Sequence, residues 1–277
     1  MAARGGSVKR FAVIGQPIAH SLSPRIHAGF AEQTGIALSY DALAVAPEDL
    51  GAQLAAWHDE GYAGFNVTLP HKTAVAALCT GLSERARVAE AVNTLIRGEG
   101  GWEGDNTDGE GLLRDLVDNC GVAVADRRVL VLGAGGAARG ILQPLLAEEP
   151  AELVLSNRSP WKPETIADAL APYGRIRPAT HMALKGDRFD LVINAMSVGH
   201  GGGFPRLPEG LLADDAVVYD LSYGEAHAPL ARWAGDAGAS AVFDGLGMLV
   251  EQAAVSFERW HGVLPVTDNV IARLRAA

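Results

Sequence analysis

The chain has 277 residues and a formal net charge of −10, which indicates an acidic surface that repels the phosphates of nucleic acids and of anionic membranes. Neither class of partner is therefore expected. Hydrophobic residues make up 48% and charged residues 20% of the chain, a composition typical of globular proteins with one large domain or two smaller ones.

The cysteines and histidines give no indication of a metal site. Cys79 and Cys120 match neither a metal-binding spacing nor a CxxC pattern, and the eight histidines form no HExxH pair. We therefore expect no bound metal. Residues 1–10 lack the apolar run of a signal peptide, and no stretch approaches the roughly 20 apolar residues that a membrane span needs. These features favour a cytoplasmic protein with reduced thiols.

Short apolar runs alternate with helix-like segments along the chain. Strands are predicted at residues 11–15, 40–45, 64–69, 94–97, 128–132, 153–155, 190–193, 217–219 and 241–243. Helices are predicted at residues 25–33, 47–59, 71–80, 137–147 and 248–260. Residues 98–111, rich in Gly, Asp and Asn, are predicted to be a linker. The alternation indicates an α/β fold with a second α/β domain over about 109–244.

A glycine motif lies between the strand predicted at 128–132 and the helix that follows it. The sequence from Gly133 to Ala138 fits G-x-G-x-x-G/A, with alanine at the third small position. In dinucleotide-binding domains the first glycine permits a tight turn, the second admits the pyrophosphate, and the helix N-terminus faces the phosphates. The residues predicted to bind the cofactor here are Gly133, Ala134, Gly135, Gly136 and Ala137. The alternative is an ordinary glycine turn.

The residues after the next predicted strand bear on the choice between NAD and NADP. NAD-binding domains usually place an Asp or Glu there, about 20 residues beyond the motif, on the ribose hydroxyls. This chain has Asn157, Arg158 and Ser159 instead, followed by Lys162. Arg158 can form a bidentate pair with a 2′-phosphate, and Lys162 can add charge, so NADP is the predicted cofactor. The alternative is a solvated basic loop.

Three segments near the start of the chain carry candidate substrate-binding residues. Ser21 and Ser23 precede a predicted helix, where a helix-capping role competes with binding of a carboxylate ligand. Asn66 and Thr68 lie on a predicted strand, on the same side by alternation, and Lys72 follows it. Most lysines are simply exposed, which is the alternative for this one.

The third segment is the polar stretch that surrounds Asp108. Asp108 either caps a helix that begins near Gly109 or forms an acid/base pair with a lysine for interconversion of a hydroxyl and a ketone. The stretch is preceded by Asn93 and Thr94, another pair of polar residues.

Taken together, the motifs resemble those of the shikimate dehydrogenase family. They occur in the order SLSP, NVTxPxK, AVNT, GxNTDG, GxGGAARG, NRS, NAxSxG and DGxGMLxxQ, from Phe11 to the C-terminal region. Met196 departs from the threonine that the family commonly has in the NAxSxG segment, and the glycine-rich stretch after His200 is unusual. Both departures concern the nicotinamide side of the site.

The resemblance implies a role for each matching residue. Lys72 and Asp108 are implied as the catalytic pair, which exchanges a proton with the reacting oxygen. The implied substrate-binding residues are Ser21, Ser23, Asn66, Thr68, Lys72, Asn93, Asp108, Tyr223 and Gln252. Gly245 and Met248 are implied to lie against the nicotinamide. His20 and His71 are interpreted as bystanders.

The resemblance also implies a domain plan and a reaction. The expected substrate-binding and catalytic domain comprises residues 1–108 and 245–277, because the C-terminal helix returns to it. A Rossmann-type NADP-binding domain at 109–244 is inserted between the two segments. The implied reaction is the NADP-dependent interconversion of 3-dehydroshikimate and shikimate, in aromatic amino acid biosynthesis, by a monomer or homodimer.

Three other functions share part of these sequence features. A quinate/shikimate dehydrogenase shares the motifs and often prefers NAD, which the basic residues Arg158 and Lys162 disfavour. A non-catalytic dinucleotide sensor on the same fold would not need Lys72 and Asp108 together with the polar substrate set. A folate-linked dehydrogenase has a similar two-domain plan, but the substrate motifs fit it poorly.

Overall fold

The computed structural model describes residues 8–196 and 204–276. The chain forms two compact units, each with its own six-stranded sheet. The first unit comprises Met1–Thr107 together with Gln252–Ala277, and the second comprises Asp108–Glu251. The predicted α/β class with two domains is confirmed.

The first unit has a mixed sheet. Its strands are β1 (Lys9–Gly15), β2 (Leu38–Ala44), β3 (Gly64–Val67), β4 (Gly81–Leu82), β5 (Thr94–Arg97) and β6 (Trp102–Asp105), in the spatial order β2-β1-β3-β5-β6-β4. Strand β5 is antiparallel to both β3 and β6, whereas β1 is parallel to β2 and β3. Its helices in this part of the chain are α1 (Ser23–Thr34), α2 (Leu50–Asp59) and α3 (Glu84–Ala89).

The second unit has a parallel sheet in Rossmann order. Its strands are β7 (Arg128–Leu132), β8 (Glu152–Asn157), β9 (Ile176–Thr180), β10 (Phe189–Asn194), β11 (Leu212–Asp220) and β12 (Ala241–Phe243), in the order β12-β11-β10-β7-β8-β9. Its helices are α4 (Asp108–Arg114), α5 (Gly136–Ala147), α6 (Trp161–Leu170) and α7 (Ala228–Asp236). The strand order reverses between β7 and β10, which is where such folds bind ligands beyond the carboxyl ends of the strands.

The chain ends in α8 (Leu246–His261) and α9 (Asp268–Arg275). Helix α8 begins in the second unit, and from Gln252 onward the chain belongs to the first. The expected domain boundaries follow residues 108 and 244, whereas the two compact units divide after Thr107 and Glu251. The functional division into a substrate domain and a cofactor domain stays a prediction.

Two predicted elements are wrong. The supposed linker at 98–111 contains β6, whose Trp102 is buried, and the start of α4. The helix predicted at 71–80 is reduced to a 3₁₀ turn at Val75–Leu78, because the Thr80 N–H donates to the carbonyl of Trp102 (2.8 Å) and directs the chain into the sheet. Pairing with a distant strand overrides the local helical preference there.

Two properties of the described residues concern metals and membranes. Among them, no group of three or more His, Cys, Asp or Glu side chains is arranged to hold a metal ion. Within the same part of the chain, no helix is both long enough and apolar enough to cross a membrane.

Candidate active site

The glycine motif forms a tight turn from β7 into α5. Gly133 has a φ of +104°, and a Cβ at this position would lie 2.9 Å from the carbonyl oxygen of Ala195. Ala138, at the third small position, is completely buried. Gly135 precedes α5 and gives the helix no side-chain cap. The turn therefore has the backbone conformation, the close packing and the uncapped helix start that suit a pyrophosphate.

Gly133→Ala is expected to weaken NADP binding and to lower the free energy of unfolding. The new Cβ meets the backbone of Ala195, and the left-handed conformation costs an L residue about 1–2 kcal/mol. Gly186→Ala is the matched control, because Gly186 has a φ of +90° and no neighbour within 4 Å of the added Cβ. Both variants should melt earlier in thermal scans, but only Gly133→Ala should raise the KM for NADP⁺. An equal KM in the two variants would contradict this role of the turn.

The basic residues lie just past the end of β8. Asn157 is the last residue of β8, and its side-chain amide donates to the carbonyl of Ser159 (3.3 Å). Arg158 is exposed, as is Lys162 in the first turn of α6, with its Nζ 5.5 Å from the centre of the Trp161 ring. Residues 153–163 contain no carboxylate. Residues 157–163 thus offer two exposed cations and no carboxylate, and the first acid beyond them is Glu164 in the first turn of α6.

A buried histidine that the sequence analysis missed lies next to these residues. His181 follows β9, the neighbour of β8, and its Nδ1 is 2.9 Å from the Ser156 hydroxyl. Burial lowers the pKa of His181, and the charge of Arg158 lowers it further. The proximity of the two cannot be read from sequence, because they follow different strands and only the pairing of those strands brings them together.

The ends of β10 and β11 meet in a buried polar cluster. Asn194 donates to Oδ1 of Asp220 (2.9 Å), and Oδ2 of Asp220 lies 3.0 Å from Nδ1 of His227. Burial raises the pKa of Asp220, despite the hydrogen bonds that its carboxylate accepts. Tyr223 follows this cluster and is partly buried. Met196 is the last described residue before 197–203, so the unusual glycines after His200 lie outside the described residues.

Gly245 and Met248 both pack against other residues of the second unit. A Cβ on Gly245 would collide with the carbonyl oxygen of Leu221, so no larger residue fits there without movement of the backbone. Met248 is buried, and its N–H is hydrogen-bonded to the hydroxyl of Tyr219. The start of α8 is therefore packed closely against β11 and the residues that follow it.

Ser21 and Ser23 bond to each other at the start of α1. The Ser23 N–H donates to the Ser21 hydroxyl (3.3 Å), and the Ser21 hydroxyl lies 3.2 Å from that of Ser23. The N-cap of α1 is Leu22, without a side-chain cap, and Ser23 is the first helical residue. The capping interpretation of Ser23 is therefore wrong. Ser23 is buried, and its side chain lies beside the hydroxyl of Tyr40.

Asn66 is buried in β3 among polar partners from distant segments. Its Oδ1 accepts from the Tyr40 hydroxyl (2.7 Å) and lies 3.1 Å from Nε2 of His27. Its side-chain amide donates to the Ser256 hydroxyl (2.9 Å). Thr68 comes just after the end of β3 and is only partly buried. A ligand contact by Asn66 would thus have to replace one of these bonds.

A second polar cluster joins β5 to α8. Asn93 donates to the hydroxyl of Thr107 (2.8 Å) and to Oε1 of Gln252 (3.2 Å). Its Oδ1 accepts from the Thr107 N–H (2.9 Å). The predicted residues Asn93 and Gln252 are therefore brought together. Thr107 and Ser256 complete the cluster and were missed, although Thr107 belongs to the quoted GxNTDG motif.

The predicted catalytic residues occupy different units. Lys72 is partly buried in the turn that follows β3, and its carbonyl accepts from the Val92 N–H (2.7 Å). Asp108 is 3% exposed and is the first residue of α4. His71, interpreted as a bystander, is buried with its Nε2 2.9 Å from the carbonyl oxygen of Val45, a contact that joins two parts of the fold.

His27 should make the protein sensitive to acid. Burial is the main cause that lowers its pKa to about 3, from 6.5. Protonation of His27 favours the unfolded state, so the stabilisation of the fold by the neutral ring is fully present above pH 6.5. As the pH falls from 6.5 toward 3, the free energy of unfolding decreases by about 1.4 kcal/mol per pH unit. In His27→Gln the free energy of unfolding, from urea titrations, should depend less steeply on pH in this window. Equal slopes in wild type and variant would contradict the assignment.

Comparisons with known proteins agree with these features. The family model described as "Shikimate dehydrogenase substrate binding domain" matches residues 13–95, and the one described as "Shikimate 5'-dehydrogenase C-terminal domain" matches residues 245–275. A "Shikimate dehydrogenase (NADP(+))" of Xanthomonas campestris pv. campestris (strain 8004) is 50% identical over 274 residues, which cover 97% of this chain and 96% of the relative.

Solved structures resemble nearly the whole chain. The crystal structure of an Ael1 enzyme from Pseudomonas putida superposes with a TM-score of 0.87 at 42% identity, covering 96% of this chain and 98% of that one. The shikimate 5-dehydrogenase from Thermus thermophilus, in complex with NADP(H) and shikimate, gives a TM-score of 0.85 at 34% identity, covering 97% and 99%. With half of its residues identical to a curated relative over nearly the full length, the chain belongs to the shikimate dehydrogenase family.

Proposed function

We propose that this protein catalyses the NADP-dependent, reversible reduction of 3-dehydroshikimate to shikimate. The observation that carries the proposal is full-length similarity to NADP-dependent shikimate dehydrogenases, with each quoted substrate and cofactor motif present in order. The reaction belongs to the shikimate pathway of aromatic amino acid biosynthesis.

The residues of the second unit fit a dinucleotide. The left-handed Gly133, the buried Ala138 and the uncapped start of α5 support a pyrophosphate site. Asn157, Arg158, Ser159 and Lys162 would hold the adenosine 2′-phosphate, since exposed cations suit a phosphate and residues 153–163 offer no carboxylate to ribose hydroxyls. When bound, NADP supplies the hydride acceptor or donor. Gly245 and Met248 are proposed to lie on the nicotinamide side.

The polar residues of the first unit suit a polyhydroxylated carboxylate. Ser21 and Ser23 are proposed to receive the substrate carboxylate. The ring hydroxyls would be held by members of the remaining set, which comprises Asn66, Thr68, Lys72, Asn93, Asp108, Tyr223 and Gln252. The bonds of Asn93 to Thr107 and Gln252 support this, because they fix the amide orientation before a ligand arrives.

Lys72 and Asp108 are proposed as the catalytic pair. Oxidation of shikimate removes a hydride from the carbon that bears the reacting hydroxyl and a proton from its oxygen. In that direction the pair takes up the proton, and in reduction it returns the proton to the ketone oxygen. An ammonium group near that oxygen also stabilises the negative charge that develops there.

Product formation in both directions tests the proposal. Purified protein incubated with shikimate and NADP⁺ should yield 3-dehydroshikimate and NADPH in equal amounts, measured by liquid chromatography with mass detection. The reverse mixture should return shikimate and NADP⁺. Another oxidised product, or NADPH without 3-dehydroshikimate, would overturn the proposed reaction.

A further inference from the structure

Hydroxyl groups run inward from the two serines at the start of α1. The Ser21 hydroxyl donates to Oγ of Ser23 (3.2 Å), and the Ser23 side chain lies beside the Tyr40 hydroxyl. The Tyr40 hydroxyl in turn donates to Oδ1 of Asn66 (2.7 Å). Because Tyr40 gives its single proton to Asn66, its oxygen can only accept a proton from the neighbouring Ser23 hydroxyl. The Ser21 proton thus points inward to Ser23, and the Tyr40 oxygen is the acceptor that lies beside the Ser23 hydroxyl.

Asn66 has a second donor on the same oxygen. Nε2 of His27 lies 3.1 Å from Oδ1 of Asn66, and since an amide oxygen only accepts, Nε2 carries the hydrogen. The His27 ring is fully buried and stacks on Tyr40, with centroids 4.1 Å apart and planes 9° from parallel. Its Nδ1 has no hydrogen-bond partner within the described residues, which suits the unprotonated nitrogen of a neutral ring. His27 thus donates to Asn66 independently of Tyr40.

A carboxylate bound at the serines would require this pattern to reverse. Carboxylate oxygens only accept, so the hydroxyls of Ser21 and Ser23 must turn outward to donate. Tyr40 then loses a donor, and its own proton can turn from Asn66 to the Ser23 oxygen. Asn66 keeps the bond from His27 after that change. The exchange leaves the buried oxygen of Asn66 with a donor, and loss of that donor would cost more than a typical hydrogen bond gains.

We infer that Tyr40 and His27 are positioning residues for carboxylate binding, which allow the hydroxyls of Ser21 and Ser23 to turn toward the substrate. This inference rests on the proposed function, in which the two serines receive the carboxylate of shikimate. Tyr40 lies beside the Ser23 oxygen, and its proton can turn from Asn66 to that oxygen when the substrate carboxylate binds. His27 keeps the oxygen of Asn66 satisfied while that exchange takes place.

Tyr40→Phe tests the inference directly, because it removes one hydroxyl and keeps the ring stacked on His27. The KM for shikimate should rise by roughly three- to tenfold, as expected for loss of one hydrogen bond, while the KM for NADP⁺ and kcat change little. Tyr62→Phe is the matched control, since Tyr62 is a buried tyrosine of the same unit in a separate aromatic cluster, stacked on Phe65. It should leave both KM values unchanged.

The methyl ester of shikimate separates carboxylate binding from general damage to the site. Tyr40→Phe should raise the dissociation constant of the ester, measured by isothermal titration, less than it raises that of shikimate. The ratio of the two dissociation constants should therefore be smaller in the variant than in the wild type. His27→Leu should give the same KM pattern, and His27→Gln, which can restore a neutral N–H donor, should recover part of the affinity. Melting temperatures identify any variant whose fold is damaged.

The outcomes distinguish this inference from the function on which it rests. Failure of the wild-type protein to oxidise shikimate would overturn the proposed function. Wild-type turnover with an unchanged KM for shikimate in Tyr40→Phe would overturn the positioning role alone. Equal increases in the KM values of shikimate and NADP⁺ would overturn it as well, because they would indicate a general structural effect.

Discussion

Lys72→Ala is expected to lower kcat by about 10²–10⁴-fold, the usual contribution of a positioned acid or base, with a modest change in the KM for shikimate. The reason is that the lysine ammonium stabilises charge on the reacting oxygen and exchanges its proton, whereas several other polar groups are proposed to bind the substrate. Steady-state kinetics with shikimate and NADP⁺ measure both constants.

Lys185→Ala is the control for Lys72→Ala, because Lys185 is an exposed lysine of the second unit. It should retain wild-type kcat. If Lys72→Ala also retained a near-normal kcat, Lys72 would be removed from the chemistry. A large rise in KM with unchanged kcat would instead make it a binding residue.

Arg158→Ala should weaken the binding of NADP⁺ much more than the binding of NAD⁺. A charge-assisted hydrogen bond to the 2′-phosphate contributes about 1.5–3 kcal/mol, which corresponds to a KM for NADP⁺ raised roughly 10- to 100-fold. NAD⁺ lacks that phosphate, so its KM should change little. The measurement is the KM for each cofactor at saturating shikimate.

Arg232→Ala is the matched control for this experiment, since Arg232 is an exposed arginine on α7 of the same unit. Arg232→Ala should leave the KM for NADP⁺ and the KM for NAD⁺ unchanged. If Arg158→Ala raised both KM values equally, Arg158 would not bind the 2′-phosphate, and the basic loop would be a solvated surface.

The second unit was the more predictable part of the fold. Its buried strands contain continuous apolar runs, such as residues 129–132, and a glycine turn leads into α5, so pattern and structure agree. In the first unit β5 is antiparallel to β6, and the short β4 pairs with β6 as well. The Gly, Asp and Asn content of residues 98–111 suggested a linker, although pairing makes residues 102–105 a strand.

The site was predictable as a set of residues but not as a network. Ser21, Ser23 and Asn66 were found from motifs, yet no motif indicated that Tyr40 and His27 connect them. Those contacts depend on side chains that tertiary packing brings together from α1, β2 and β3. His181 was missed for the same reason, since only the pairing of β8 with β9 brings it close to Arg158.

The most direct test of the proposed function measures initial rates from NAD(P)H absorbance, with shikimate and quinate each tested against NADP⁺ and NAD⁺. We predict that kcat/KM for shikimate with NADP⁺ exceeds the other three combinations by at least an order of magnitude. Comparable rates with quinate or NAD⁺ would instead indicate a dual-substrate dehydrogenase. Absence of turnover in all four mixtures would contradict the enzymatic account and favour a dinucleotide sensor.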